Sequence, residues 1–182
     1  ALKKDVAAVG ANLRSTVLWG AARHGDEAVL DDLIALHGKA DLPEVKVQAL
    51  RAMGAFRSEA PLRRAVAYGL SERVRRQDAM AVFAGVPIET KPAAWALLKE
   101  HWTTLDERYG KSGLIGRFIG AAAGSIPSEA HAADVEAFFR DHPAPYGTET
   151  IKQTLEGIRA RAKFRERNRH GLAEFFDGQN RA

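Results

Sequence analysis

Apolar residues recur along this chain at steps of three and four, the spacing of one face of an α-helix. Val6, Val9, Leu13 and Val17 form the first such stripe, with Asp5 as its candidate N-cap. After a break at Gly25, Asp26 is placed to cap a helix carrying Val29, Leu30, Leu33, Ile34 and Leu36, which stops at Gly38. Asp41 is the candidate cap of a third helix, with Pro43 in its first turn and Val47, Leu50 and Met53 on one side. Ser58, Glu59 and Pro61 open a fourth, ending near Gly69. Ser71 and Glu72 are expected to open a fifth that carries Val74, Met80, Val82 and Phe83 to Gly85.

The second half predicts longer elements. One helix is expected from Thr90 and Pro92 through Tyr109, with Trp95, Leu98, Trp102 and Leu105 on a single buried stripe. A short apolar segment spans Leu114 to Ala123. Ser128 and Glu129 start a helix carrying Val135, Phe138 and Phe139, closed by His142-Pro143. Thr148 begins the longest element, with Ile151, Leu155 and Ile158 at steps of four and three, running towards Phe176. No stretch alternates with period two between tight-turn signals, so the chain reads as all-α. Gln48-Ala49-Leu50-Arg51-Ala52-Met53-Gly54 is loosely echoed by Gln77-Asp78-Ala79-Met80-Ala81-Val82-Phe83. Helices of similar length at such a period suggest antiparallel pairs stacked into a solenoid, with a compact bundle as the alternative.

Composition narrows the picture. The chain has 182 residues, 46% of them hydrophobic, enough for a core. Lys and Arg number 27 against 23 Asp and Glu, a net charge of +4. By halves the charge is even, 13 against 11 in residues 1–90 and 14 against 12 in residues 91–182, so neither half is a basic arm. Cysteine is absent, which excludes disulfides, thiolate metal sites and a cysteine nucleophile, and is compatible with a cytoplasmic setting. No apolar run approaches a membrane span, and Ala1-Leu2-Lys3-Lys4-Asp5 has no signal-peptide character. The start lacks Met, and the expectation is one helical domain, residues 1–182, excised from a longer chain.

A search for chemistry finds little. The six histidines, His24, His37, His101, His131, His142 and His170, include no pair four apart and no H-E-x-x-H, so no local metal frame exists. Gly110-Lys111-Ser112 lacks the first glycine of a phosphate loop, since Leu105 stands there. No G-x-S-x-G elbow occurs. Arg57, Arg63, Arg64, Arg73, Arg75 and Arg76 gather against only Glu59 and Glu72. They form either a solvated face or a surface for carboxylate or phosphate groups. Arg159, Arg161, Lys163, Arg165, Arg167 and Arg169 occur at every second residue, a step of about 200° that scatters charge around a helix.

An ordered set of segments resembles a known family. Val74-Arg75-Arg76-Gln77-Asp78 precedes Lys91-Pro92-Ala93-Ala94-Trp95-Ala96-Leu97-Leu98-Lys99-Glu100-His101-Trp102. Leu105-Asp106-Glu107-Arg108-Tyr109-Gly110, Val135-Glu136-Ala137-Phe138-Phe139 and Thr154-Leu155-Glu156-Gly157-Ile158-Arg159 follow in order. With Gly25-Asp26-Glu27 and Arg51-Ala52-Met53-Gly54-Ala55 upstream, the set is similar to the later part of the C-terminal helical domain of zinc aminopeptidases related to puromycin-sensitive aminopeptidase and aminopeptidase N.

The resemblance implies HEAT-like helix pairs wound as a right-handed α-solenoid, with the catalytic domain absent from this chain. It implies a parent that removes N-terminal residues from peptides. That parent would use zinc held by H-E-x-x-H and a distant Glu, and a G-A-M-E-N segment, none of which occurs here. The segment itself would then have no catalytic residue, metal ligand or cofactor. Its role would be to enclose the active-site cavity and limit substrate access, with the upstream catalytic domain and the peptide substrate as partners. Arg75, Gln77 and Asp78 match a recurrent element of that family and are candidate cavity residues, helix packing being the competing role. Arg117 joins them as a lone charge in an apolar segment. The rival reading is a stand-alone HEAT-like module binding nucleic acid or protein through Arg57–Arg76; the mild charge makes nucleic acid the weaker expectation.

Overall fold

The computed structural model describes residues 9–179, and the side chains of these except residue 170 and residues 172–179. Every described regular element is helical. Helix α1 spans Ala11–Arg23, and Gly10 is its N-cap; the expected Asp5 cap and Val6 lie outside the described residues. The expected stripe is displaced. Leu13 and Val17 are 64% and 46% exposed, whereas Leu18 and Ala22 are buried. The next column of the helix, one residue on, faces the core with half-buried Trp19 beside it.

Helix α2, Glu27–Lys39, starts as its sequence predicts: Asp26 Oδ1 accepts hydrogen bonds from the Ala28 and Val29 amides at 3.0 and 3.3 Å. Helix α3, Pro43–Met53, has Leu42 rather than Asp41 at the N-cap, with no side-chain cap; Pro43 in the first turn fixes the entry instead. Helix α4 runs Glu59–Gly69 behind Ser58. The fifth helix is much shorter than its sequence suggests. Residues 71–79 are turns, and α5 covers only Met80–Gly85. Ser71 Oγ donates to the Tyr68 carbonyl at 2.7 Å and accepts from the Arg73 amide at 3.3 Å, a local bond that competes with helix propagation.

A 3₁₀ turn, Ile88–Thr90, leads into α6, Lys91–Glu100. The single long helix expected here is two, because His101 sits at φ −96°, ψ 15° and separates α6 from α7, Trp102–Tyr109. Both tryptophans are nevertheless buried, against Phe138 and Phe139, with ring centroids 5.3–6.0 Å apart. Helix α8 is Leu114–Ala123. Helix α9 is Glu129–Asp141, capped by Ser128 Oγ accepting from the His131 amide. A second 3₁₀ turn, Pro145–Gly147, precedes α10, Thr148–Gln179.

The helices pack in succession. Helix α3 lies against α1, α2 and α5; α5 continues to α8, and α8 to α10. On the other side α2 meets α4, α4 meets α6, and α9 closes on α10. One continuous apolar core runs from Leu18 to Ile158.

Polar side chains tie the helix ends. The last carbonyls of a helix have no partner within it, and here donors from distant elements supply one. Trp19 Nε1 donates to the Gly85 carbonyl at 3.1 Å, and Arg108 donates to the Leu70 carbonyl at the end of α4. Buried Lys91 donates to the Phe83 carbonyl of α5 at 3.3 Å and to the Ala121 carbonyl of α8. His131 Nε2 meets the Ala123 carbonyl at 3.1 Å, and Arg161 donates to that of Gly124. Cations at helix C-termini also complement the helix dipole.

Candidate functional site

The turn at residues 75–79 brings two of the sequence-derived candidates together. The Asp78 and Ala79 amides both donate to the Arg75 carbonyl, closing the turn. This places Arg75 Nε 2.7 Å from Asp78 Oδ2. Asp78 is only 9% exposed while Arg75 is 55% exposed, so the pair joins a buried anion to a solvent-facing cation. The two line a cleft of about 130 Å³ with His37 from α2, Asp41 and Pro43 from the α2–α3 junction, and Lys46 from α3.

His37 forms the cleft's inner wall. Its Nδ1 shares a hydrogen bond with Tyr68 Oη at 2.8 Å, and the two rings meet edge to face. Burial, reinforced by Lys46 and Arg75 and opposed by Asp78, holds the imidazole below its ordinary pKa. Burial likewise raises the Tyr68 phenol. The cleft therefore presents a neutral imidazole between two cations and two carboxylates near pH 7. It has room for a small polar group, and its mixed charge suits a group carrying both a donor and an acceptor.

The other candidates lie elsewhere. Gln77 is exposed on the same turn and does not line the cleft. Arg117 is exposed on α8, where Ile115, Gly116, Phe118 and Ile119 are buried around it, and it too is not part of the cleft. Sequence reasoning missed His37, Asp41 and Lys46. The only available signal was that both flanks of the α2–α3 junction carry charge, and nothing local brings the Arg75 turn across to meet them.

The basic surface at Arg57–Arg76 is largely consumed by ion pairs. Arg57 lies 4.0 Å from Glu89, Arg63 pairs with Glu59 and Glu100, and Arg64 pairs with Glu27 and Asp31. Arg76 sits over the Tyr109 ring at 5.6 Å, on which Arg108 also packs. A surface neutralised this way offers few free cations to phosphates. Among the described residues no three His, Asp or Glu side chains converge to hold a metal ion, and no helix is long and apolar enough to cross a membrane.

Comparison with known proteins places these features in context. Residues 2–160 match the family model for the ERAP1-like C-terminal domain. The chain is 29% identical over 145 residues to Aminopeptidase M1 of Arabidopsis thaliana, covering 80% of this chain and 16% of that protein. It is 34% identical over 102 residues to Aminopeptidase M1-B of Oryza sativa subsp. japonica, covering 56% of this chain and 12% of that protein. It is 26% identical over 171 residues to the alanine/arginine aminopeptidase of Saccharomyces cerevisiae, covering 92% and 20%. The chain thus spans a fifth or less of the length of these curated relatives.

Proposed function

The chain belongs to the ERAP1-like C-terminal domain family, and from that premise we propose that it is the non-catalytic helical domain of a larger, zinc-dependent aminopeptidase. The observation that carries this reading is the match across residues 2–160 together with relatives that are named aminopeptidases and extend far beyond it. In this reading zinc and the groups that activate water belong to polypeptide outside these residues, whose sequence holds no H-E-x-x-H.

The domain's task is enclosure. The succession α1, α3, α5, α8, α10 supports a HEAT-like stack of helix pairs, and such a stack curves into a wall. Set over an active site, that wall limits how long a peptide can enter. The Arg75–Asp78 turn and its cleft, with Arg117 and Gln77, are the polar groups proposed to face the peptide. A cytoplasmic location is proposed, and the lack of cysteine is compatible with it.

The test compares the full-length parent with the isolated 182 residues on an aminoacyl fluorogenic substrate. The parent should release the fluorophore, lose that activity to a chelator and regain it with zinc. The isolated segment should be inert. Zinc-dependent cleavage by the segment alone would falsify the proposal.

A further inference from the structure

Helix α10 divides in two at Ile158. Up to that residue it is anchored, with Thr154, Leu155 and Ile158 buried. Beyond it no described residue of the helix is buried, although the backbone stays helical to Gln179. The family match ends at residue 160, within two residues of the same point.

Charge divides there as well. Residues 1–160 carry 21 Lys and Arg against 20 Asp and Glu, close to neutral. Residues 161–169 carry five cations, Arg161, Lys163, Arg165, Arg167 and Arg169, against Glu166 alone, a net +4 that equals the formal charge of the entire chain. The helical turn sorts these cations. Arg161 is spent on the Gly124 carbonyl, and Arg167 folds over Phe164 at 5.9 Å. Lys163, Arg165 and Arg169 instead line one groove of about 580 Å³ between α10 and the start of α9. Glu129 on the far wall is already engaged by Arg159 at 3.7 Å, so among the described residues Glu166 is the carboxylate of the groove left to face these three cations. Arg165 and Arg169, four residues apart, repel each other on their helix.

We infer that the exposed part of α10, through Lys163, Arg165 and Arg169, docks onto a carboxylate-bearing surface of the same polypeptide that lies outside these residues. The inference rests on the proposed function for the existence of that polypeptide, and on the groove for the chemistry. A protein surface fits better than a nucleic acid. Lys163, Arg165 and Arg169 stand with Glu166 set among them, a mixed pattern that suits an interface in which single carboxylates meet single cations more than a surface that tracks a run of phosphates.

The test uses the full-length protein. Carbodiimide joins an amine directly to a carboxylate in contact with it, so Lys163 should be recovered by mass spectrometry linked to Asp or Glu outside residues 1–182. The yield should fall in high salt. The R165E/R169E variant should lower it roughly tenfold, the effect of turning two exposed pairs from attraction to repulsion. Both substitutions are on exposed positions, and unchanged helical circular dichroism confirms that the fold is kept. Recovery of Lys163 linked only to Glu129 or Glu166, or no link at all, overturns the inference. So does salt-sensitive binding of a DNA duplex or of phosphatidylserine vesicles that R165E/R169E abolishes. None of these outcomes depends on peptidase activity, so failure here is separable from failure of the proposed function.

Discussion

Gly85 at the end of α5 lies against the carbonyl of Arg51 in α3 so closely that an added Cβ would stand 1.8 Å from that oxygen. The contact is reciprocal: a Cβ on Gly54 would stand 2.0 Å from the Val82 carbonyl oxygen. Gly54 ends the first of the two loosely repeated segments and Gly85 lies two residues beyond the second, and their lack of a side chain lets the backbones of α3 and α5 touch. Gly85→Ala must push the helices apart and is expected to cost about 3 kcal/mol or more. Gly20→Ala, in the interior of α1 with nothing within 4 Å, should stabilise by about 0.5–1 kcal/mol. Urea unfolding of both variants checks the contrast, and equal effects would refute the close-approach account.

Lys91 should make stability depend on alkaline pH. Burial lowers its pKa from 10.5, so in the window between the folded value and 10.5 the unfolded chain binds more protons than the native one. Wild-type stability should therefore rise with pH across that window relative to Lys91→Met. At pH 7 the variant leaves the Phe83 and Ala121 carbonyls without their ammonium donor, at a cost of about 1–3 kcal/mol offset by relief of the buried charge. Melts of both proteins between pH 7 and 10.5 give the difference curve, and a flat one would be contrary to expectation.

His37 and His131 act on the acid side. Burial is the largest cause of the lowered pKa in each, the ordinary value being 6.5. Between the folded values and 6.5 the unfolded chain again holds more protons, so stability falls as pH drops through this window. Replacing both residues with Gln should flatten the profile between pH 7.5 and 4.5. Thermal midpoints across that range decide the matter.

Asp134 is expected to be worth more than an ordinary surface carboxylate. It accepts from the indole of buried Trp95 and from Lys99 Nζ at 2.9 and 3.1 Å, joining α6 to α9. Asp134→Ala leaves the indole donor unpaired and should cost about 1–3 kcal/mol, whereas Asp134→Asn keeps an acceptor and should cost less. Arg64→Ala, which removes half-exposed pairs to Glu27 and Asp31, should cost much less than Asp134→Ala when the variants are compared by urea unfolding.

On the proposed enclosing role, Arg75→Ala and Arg117→Ala in the full-length protein should raise KM for extended peptides and leave a single-residue amide unaffected. Steady-state kinetics on the two substrate classes separates this from a folding defect, which would lower activity on both.

The helical class was legible because amphipathic period and end chemistry are local: Asp26 and Ser128 cap the helices their sequences announce. Misreadings came where a local bond or a tertiary contact overrode the period. Ser71 folded back on Tyr68 and replaced the start of a helix with turns. His101 interrupted a run whose four apolar positions are all buried as expected. The stripe of Leu13 and Val17 was real as a pattern, yet α3 and α5 bind the neighbouring column through Leu18 and Trp19. Of the candidate site, Arg75 and Asp78 were found because they match a recurrent element of the family that the sequence resembles, and the turn then brings the two together. His37 and Lys46 were not, because only the packing of α2, α3 and the turn at residues 75–79 assembles the cleft.

The donors that reach helix ends from other elements set an order of assembly. The carbonyl of Leu70 waits for Arg108, that of Gly124 for Arg161 and that of Phe83 for Lys91, all downstream, while Trp19, far upstream, already stands ready for that of Gly85. A nascent chain leaving the ribosome would thus hold each turn provisionally until the next stretch emerged to lock it. Truncation from the C-terminal side should loosen the molecule progressively, one unlocked helix end at a time.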